Sequence, residues 1–94
     1  MTKKVQKNQT KEQLLPIEEI VPISDLGCAA ALQTASFELI ALDRQNPYKI
    51  KFVFRREAGI EKVADDFWAN RLEQKSRSFW DNVKALKNKL YSNE

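Results

Sequence analysis

The sequence predicts an α+β domain ordered helix, β-hairpin, helix, helix, with an edge strand ahead of the first helix. Three observations carry this. Residues 37–56 hold two apolar stretches separated by the turn residues Asp43, Arg44, Gln45, Asn46 and Pro47, and the second stretch alternates with period two. Residues 25–34 form an alanine-rich run behind an N-cap residue. Two later stretches repeat apolar residues at helical spacing. A lone hairpin is marginal in water, so its aromatic face needs the cover that flanking helices supply.

In chain order, residues 1–13 carry one aliphatic residue, Val5, among lysines, glutamines and threonines. They read as a disordered basic tail, and residues 14–94 as a single small domain. Pro16 and Pro22 stop a helix between them, so 17–21 is expected to be extended, an edge strand beside the hairpin. Ser24 is the expected N-cap of a helix over 25–34, with Asp25 in its first turn at the positive end of the dipole. Gly27, Ala29, Ala30 and Ala31 keep that helix slim, able to lie close to the sheet or to line a subunit contact, with Leu26 and Leu32 as its filling residues.

In the hairpin, Tyr48, Ile50, Phe52 and Phe54 are expected to face the core and Lys49, Lys51 and Arg55 to face outward, with Val53 the one apolar outward residue. Pairing Phe37 with Phe52, Glu38 with Lys51, Leu39 with Ile50 and Ala41 with Tyr48 matches apolar to apolar and charge to charge. Beyond Gly59, Ile60, Val63, Ala64, Phe67 and Trp68 share one face of a helix over 60–69. A break is expected at 70–75, because Ser76 or Ser78 is a fresh N-cap and the apolar phase restarts. Phe79, Val83, Leu86 and Leu90 then form the core stripe of a helix over 77–91. The predicted core is these four without Phe79, together with Leu26, Leu32, Phe37, Leu39, Ile50, Phe52, Phe54, Val63 and Phe67.

Composition narrows the chemistry. The chain has no histidine, so Ser-His-Asp and Cys-His catalysis and the usual zinc sites are excluded. The single Cys28 leaves no internal disulfide, and its alanine-rich setting reads as a buried, inert thiol. Glu61, Asp65 and Asp66 with Lys62 could be drawn as a nuclease metal site, but adjacent aspartates on a helix diverge and only Glu61 and Asp65 share a face. A solvated helix face accounts for all of them. The expectation is a non-enzymatic protein with no cofactor and no metal. Neither a membrane-spanning apolar run nor a signal-peptide core is seen, so a cytoplasmic protein away from membranes is the default.

The order of several residues resembles a family of small domains of unknown function found in archaeal, bacterial and phage-related genomes. The matching pieces are the run from Ser24 through Asp25, Leu26, Gly27, Cys28 and the three alanines to Leu32, then Lys51-Phe52-Val53-Phe54, the pair Phe67-Trp68, and the ending Leu86-Lys87-Asn88-Lys89-Leu90-Tyr91. The family form often has a glycine just before its first strand, where this chain has Ala35-Ser36. The resemblance implies the architecture above and a mobile-element or phage-like setting; it brings no activity and no catalytic residues.

The net charge of +3 resides in the tail, where Lys3, Lys4, Lys7 and Lys11 face Glu12 alone. The body is neutral but polarised, acidic over 57–66 and basic over 71–91. On the last helix, Trp80, Lys84, Lys87 and Tyr91 form a stripe beside the core stripe, able to stack on bases and neutralise phosphates. The plainer alternative has Trp80 and Tyr91 completing the core edge while the lysines snorkel. Nucleic acid is therefore one candidate partner, met by the tail lysines, Lys49, Lys51, Arg55, Arg77 and the stripe. The other candidate is a protein partner, including self-association through the hairpin edge.

Overall fold

The structure is a computed structural model that describes residues 16–92. The expected tail, with Lys3, Lys4, Lys7 and Lys11, lies outside the described residues. After a single 3-10 turn (Ile17–Glu19) come β1 (Ile20–Ile23), α1 (Leu26–Thr34), β2 (Leu39–Asp43), β3 (Lys51–Arg55), α2 (Ile60–Trp68) and α3 (Ser76–Leu90). This is the expected α+β class with the expected order of helix, hairpin, helix and helix. The three strands form one antiparallel sheet in which β3 lies between β1 and β2.

The sheet gains a strand before α1, as the two prolines suggest, but the strand begins later than expected because 17–19 closes into a turn first. Pro22 lies inside β1 rather than ending it. An edge strand tolerates this, since a missing N–H on the outer side leaves no ladder bond broken.

The centre of the molecule is α1. Every residue from Cys28 to Leu32 is fully buried, because α1 is packed by β1, α2 and α3 at once. Its alanines are what allow this: a helix surrounded on all sides has no polar stripe and little room for bulk. The subunit-contact option for these small residues is thereby filled from within the chain. Asp25, not Ser24, is the N-cap; its carboxylate accepts from the Cys28 N–H at 2.8 Å. The core cluster joins Ala29, Ala30 and Leu32 to Phe52 and Phe54 of β3, Ile60 of α2 and Leu86 of α3. Leu26, Phe37, Leu39, Val63, Val83 and Leu90 pack around it, as the apolar pattern predicts.

Both α1 and α2 end in the same device. After α1, the Phe37 N–H donates to Leu32 O and the Ser36 N–H to Gln33 O; after α2, the Arg71 N–H donates to Asp66 O and the Asn70 N–H to Phe67 O. These are Schellman motifs, which require a left-handed residue just past the helix. Ser36 (φ 75°) and Asn70 (φ 62°) occupy those positions. Ser36 thus stands where the resembling family often has glycine. Asn70 is what stops α2, so the expected break over 70–75 is present. Lys75, rather than either serine, is the N-cap of α3, and it makes no side-chain cap.

The hairpin register differs from the sequence expectation. Leu39 pairs with Phe54, Leu42 with Phe52 and Asp43 with Lys51, with a bulge between Leu39 and Ala41. Glu38 accordingly meets Arg55, not Lys51, through an ion pair of 3.0 Å and the bond from Arg55 N–H to Glu38 O. Residues 44–50 form a longer loop than the turn chemistry suggests. Tyr48, Lys49 and Ile50 belong to that loop rather than to a strand, and Tyr48 is 96% exposed instead of facing the core. Within β3 the alternation holds: Phe52 and Phe54 face the helices, leaving Lys51, Val53 and Arg55 on the far face. Val53 is nonetheless buried, flanked by Pro22 and Ala41 in the register and set in a groove of about 790 Å³ whose walls include Ile17, Ile20 and Arg56.

Candidate functional site

Trp80, Lys84, Lys87 and Tyr91 do form a stripe along α3. Its ends lie eleven positions apart, roughly 16 Å of helix at 1.5 Å per residue. Trp80 is 55% exposed and Tyr91 75%, and neither joins the core cluster that Phe79, Val83, Leu86 and Leu90 of the adjacent face enter. The packing alternative for these two aromatics is therefore not what the fold uses. Trp68, expected on the core face of α2, is also largely exposed.

The ion pairs decide which cations are free to meet a ligand. Among the described residues Arg55 pairs with Glu38, Arg56 with Glu61, Lys62 and Arg71 with Asp66, and Arg77 with Asp81, which Lys84 also reaches at 3.8 Å. Those pairs occupy Arg55 and Arg77 of the sequence-derived candidates and engage Lys84 weakly. Arg44, Lys49, Lys51, Lys75, Lys87 and Lys89 have no ion pair among the described residues. All but Lys75 lie at one end of the molecule, in the hairpin loop and its flanks or in the last turn of α3.

Arg44 joins those two elements. Its guanidinium donates from Nη1 to Leu90 O at 3.2 Å and from Nη2 to Lys89 O at 3.0 Å. Helix C-terminal carbonyls are unsatisfied acceptors carrying partial negative charge, so a cation there is favourable and offsets the local field. Sequence reasoning placed Arg44 in a turn and missed this reach, which spans 45 and 46 residues along the chain. It also missed Tyr48 and Lys89 as site residues. A tyrosine directly after the turn residues Asn46-Pro47 and directly before Lys49 is the signal that could have found the loop.

The other candidate placements separate in space. Lys51 and Arg55 point to the sheet face away from the helices, Arg77 sits in the first turn of α3, and Lys49 is on the loop. The sequence-derived set therefore does not form one surface; its C-terminal part and the hairpin loop do.

The remaining reactive groups have structural explanations. Burial, with a smaller contribution from nearby Asp25, pushes the Cys28 thiol up to about 11, so it stays a protonated apolar side chain at neutral pH. Asp66 is held below its ordinary 3.8, chiefly by the hydrogen bond from Lys62 and, against some desolvation, by the bonds from Arg71. Its carboxylate anchors the α2–α3 connection, while Glu61 binds Arg56. No group of three or more metal-ligating side chains occurs among the described residues, and no helix there is long and apolar enough to cross a membrane.

The fold and site thus define a small α+β domain with a buried central helix and a basic, aromatic end built from a hairpin loop and a helix terminus. The chain belongs to a family described as a domain of unknown function, DUF5659, which matches residues 19–92. No curated protein and no solved structure matches it.

Proposed function

We propose that this protein is a non-enzymatic nucleic-acid-binding module, acting in the cytoplasm in a mobile-element or phage-like setting without cofactor or metal. One observation carries the reading: cations outside ion pairs gather with the exposed ring of Tyr91 where α3 ends, and Trp80 continues the stripe along the helix. A protein keeping such aromatics only for packing would bury them. Affinity would come mostly from phosphate contacts with little sequence preference, and the tail lysines Lys3, Lys4, Lys7 and Lys11 would add to it.

Titrating salt against binding of a labelled oligonucleotide tests the reading. The slope of log K against log salt should reflect a few neutralised phosphates. Replacing both lysines, Lys84→Glu with Lys87→Glu, should flatten that slope while the melting temperature stays put, since both side chains are exposed. Failure of the intact, folded chain to bind any oligonucleotide at low salt overturns the proposal.

A second reading, a protein-interaction module, rests on a different surface. The groove on the open sheet face has an apolar floor, and Ile17 at its wall is 82% exposed. Mass measurement in solution separates a self-associating chain from a monomer that needs another partner.

A further inference from the structure

We infer that the ligand of this site is single-stranded, and that it is gripped between α3 and the hairpin loop, with Tyr48 as a second stacking platform that Arg44 holds in place beside the end of the helix. This rests on the nucleic-acid reading above and adds to it the strandedness of the ligand, a second wall and a positioning residue.

The loop is built to present a ring rather than to bury one. Asp43 Oδ1 accepts from the Gln45 N–H at 3.0 Å, Asn46 Oδ1 accepts from the Tyr48 N–H at 2.9 Å, and the Lys49 N–H closes on Asn46 O at 3.0 Å. Such side-chain-to-backbone turns order a loop without any apolar packing. They leave the Tyr48 ring almost wholly in water, where a large apolar surface gains nothing unless something covers it. Arg44, between Asp43 and Gln45 at the start of this network, fastens its base to the last turn of α3 through two hydrogen bonds. Tyr48 on the loop and Tyr91 just past the helix are thus carried by elements fixed to each other.

The charge of this end fits a phosphodiester. Lys49 lies on the loop itself, with Lys87 and Lys89 in the last turn of α3. The guanidinium of Arg44 covers the helix terminus that would otherwise repel a phosphate. A duplex presents such an end with phosphates but hides the faces of its bases. Only an unstacked strand offers bases to isolated tyrosine rings.

Fluorescence anisotropy at low salt decides this, using the full 94-residue chain, a labelled oligothymidine of about 15 nucleotides and a duplex of the same length. The intact protein should bind the single strand more tightly. Tyr48→Ala should weaken single-strand binding by about 5- to 150-fold and leave the duplex unmoved, whereas Tyr48→Phe should retain affinity because stacking needs no hydroxyl. Arg44→Lys keeps the charge but gives up the planar fork whose two nitrogens meet the two carbonyls; it should lose as much single-strand affinity as Tyr48→Ala, and the double variant should lose little more. Circular dichroism melts confirm that each variant is folded. Single-strand binding unchanged by Tyr48→Ala, or equal losses on strand and duplex, overturns this inference while leaving nucleic-acid binding standing. Binding of neither probe by the intact protein removes the broader reading with it.

Discussion

Ser36 holds a backbone conformation that serine adopts at a cost. The left-handed region brings Cβ against the carbonyl, a penalty of about 1–2 kcal/mol that glycine escapes, though glycine then loses more freedom on folding. The Schellman bonds from Ser36 and Phe37 to the end of α1 enforce that geometry and deliver Phe37 to the core. Ser36→Gly should therefore stabilise the fold by about 0.5–1 kcal/mol, seen as a rise of a few degrees in melting temperature; a fall would show that the serine hydroxyl or a different turn matters more. The requirement was half visible in the sequence. The glycine that the resemblance led one to expect before the hairpin marked the position, but a serine there does not announce a positive φ, since the conformation follows from how α1 is stopped. Asn70 was the more legible of the two, asparagine being tolerant of this region.

At the scale of elements, the connection between α2 and α3 depends on one carboxylate. Asp66 receives Lys62 across one helical turn at 2.8 Å and Arg71 at 3.1 Å from beyond the helix end. Because its folded-state pKa lies below its ordinary 3.8, the stabilisation is complete above that ordinary value and drains away as the pH falls below it toward the lower folded value. The melting-temperature gap between the native chain and Asp66→Asn should consequently be constant near neutrality and shrink as the pH drops below about 4. A gap that stays constant into that acid range would mean the carboxylate has no such role. The hairpin shows what element-level reasoning can and cannot reach. The inward pair Phe52 and Phe54 followed from period two, yet the pairing partners did not. Apolar-to-apolar matching admits more than one register, and the one adopted is set by the bulge at Leu39 and Ala41, by the Glu38–Arg55 pair and by a loop tied to a distant helix. None of these is local in sequence.

Across the whole molecule, burial concentrates on a small set of residues, so the core tolerates little loss. Phe52→Ala removes a fully covered ring between sheet and helices and should cost about 3–5 kcal/mol, read from chemical denaturation; a loss below about 1 kcal/mol would contradict the packing. The apolar periodicity exposed most of this core in advance, Ile60 on the apolar face of α2 included, but not the fully enclosed Cys28–Leu32 run as its hub. Small residues carry no signal of being surrounded, because the pattern that reveals a helix face disappears when every face is covered. The candidate site was legible in part for the same reason. A stripe on one helix can be read from spacing, whereas the junction of loop and helix end exists only after Arg44 crosses the fold.

The strand order has a consequence for how the chain is made. The strands that emerge first, β1 and β2, never bond to each other; both wait for β3, which is synthesised after them and lies between them. The hub helix waits longer still, since α2 and α3, which cover it, follow the sheet in chain order. A nascent chain stalled in the hairpin loop would have its alanine-rich helix and two unpaired strands open to solvent and to chaperones. Folding of this domain thus waits until α3 has emerged, and a premature stop anywhere before α3 leaves no smaller fold to fall back on.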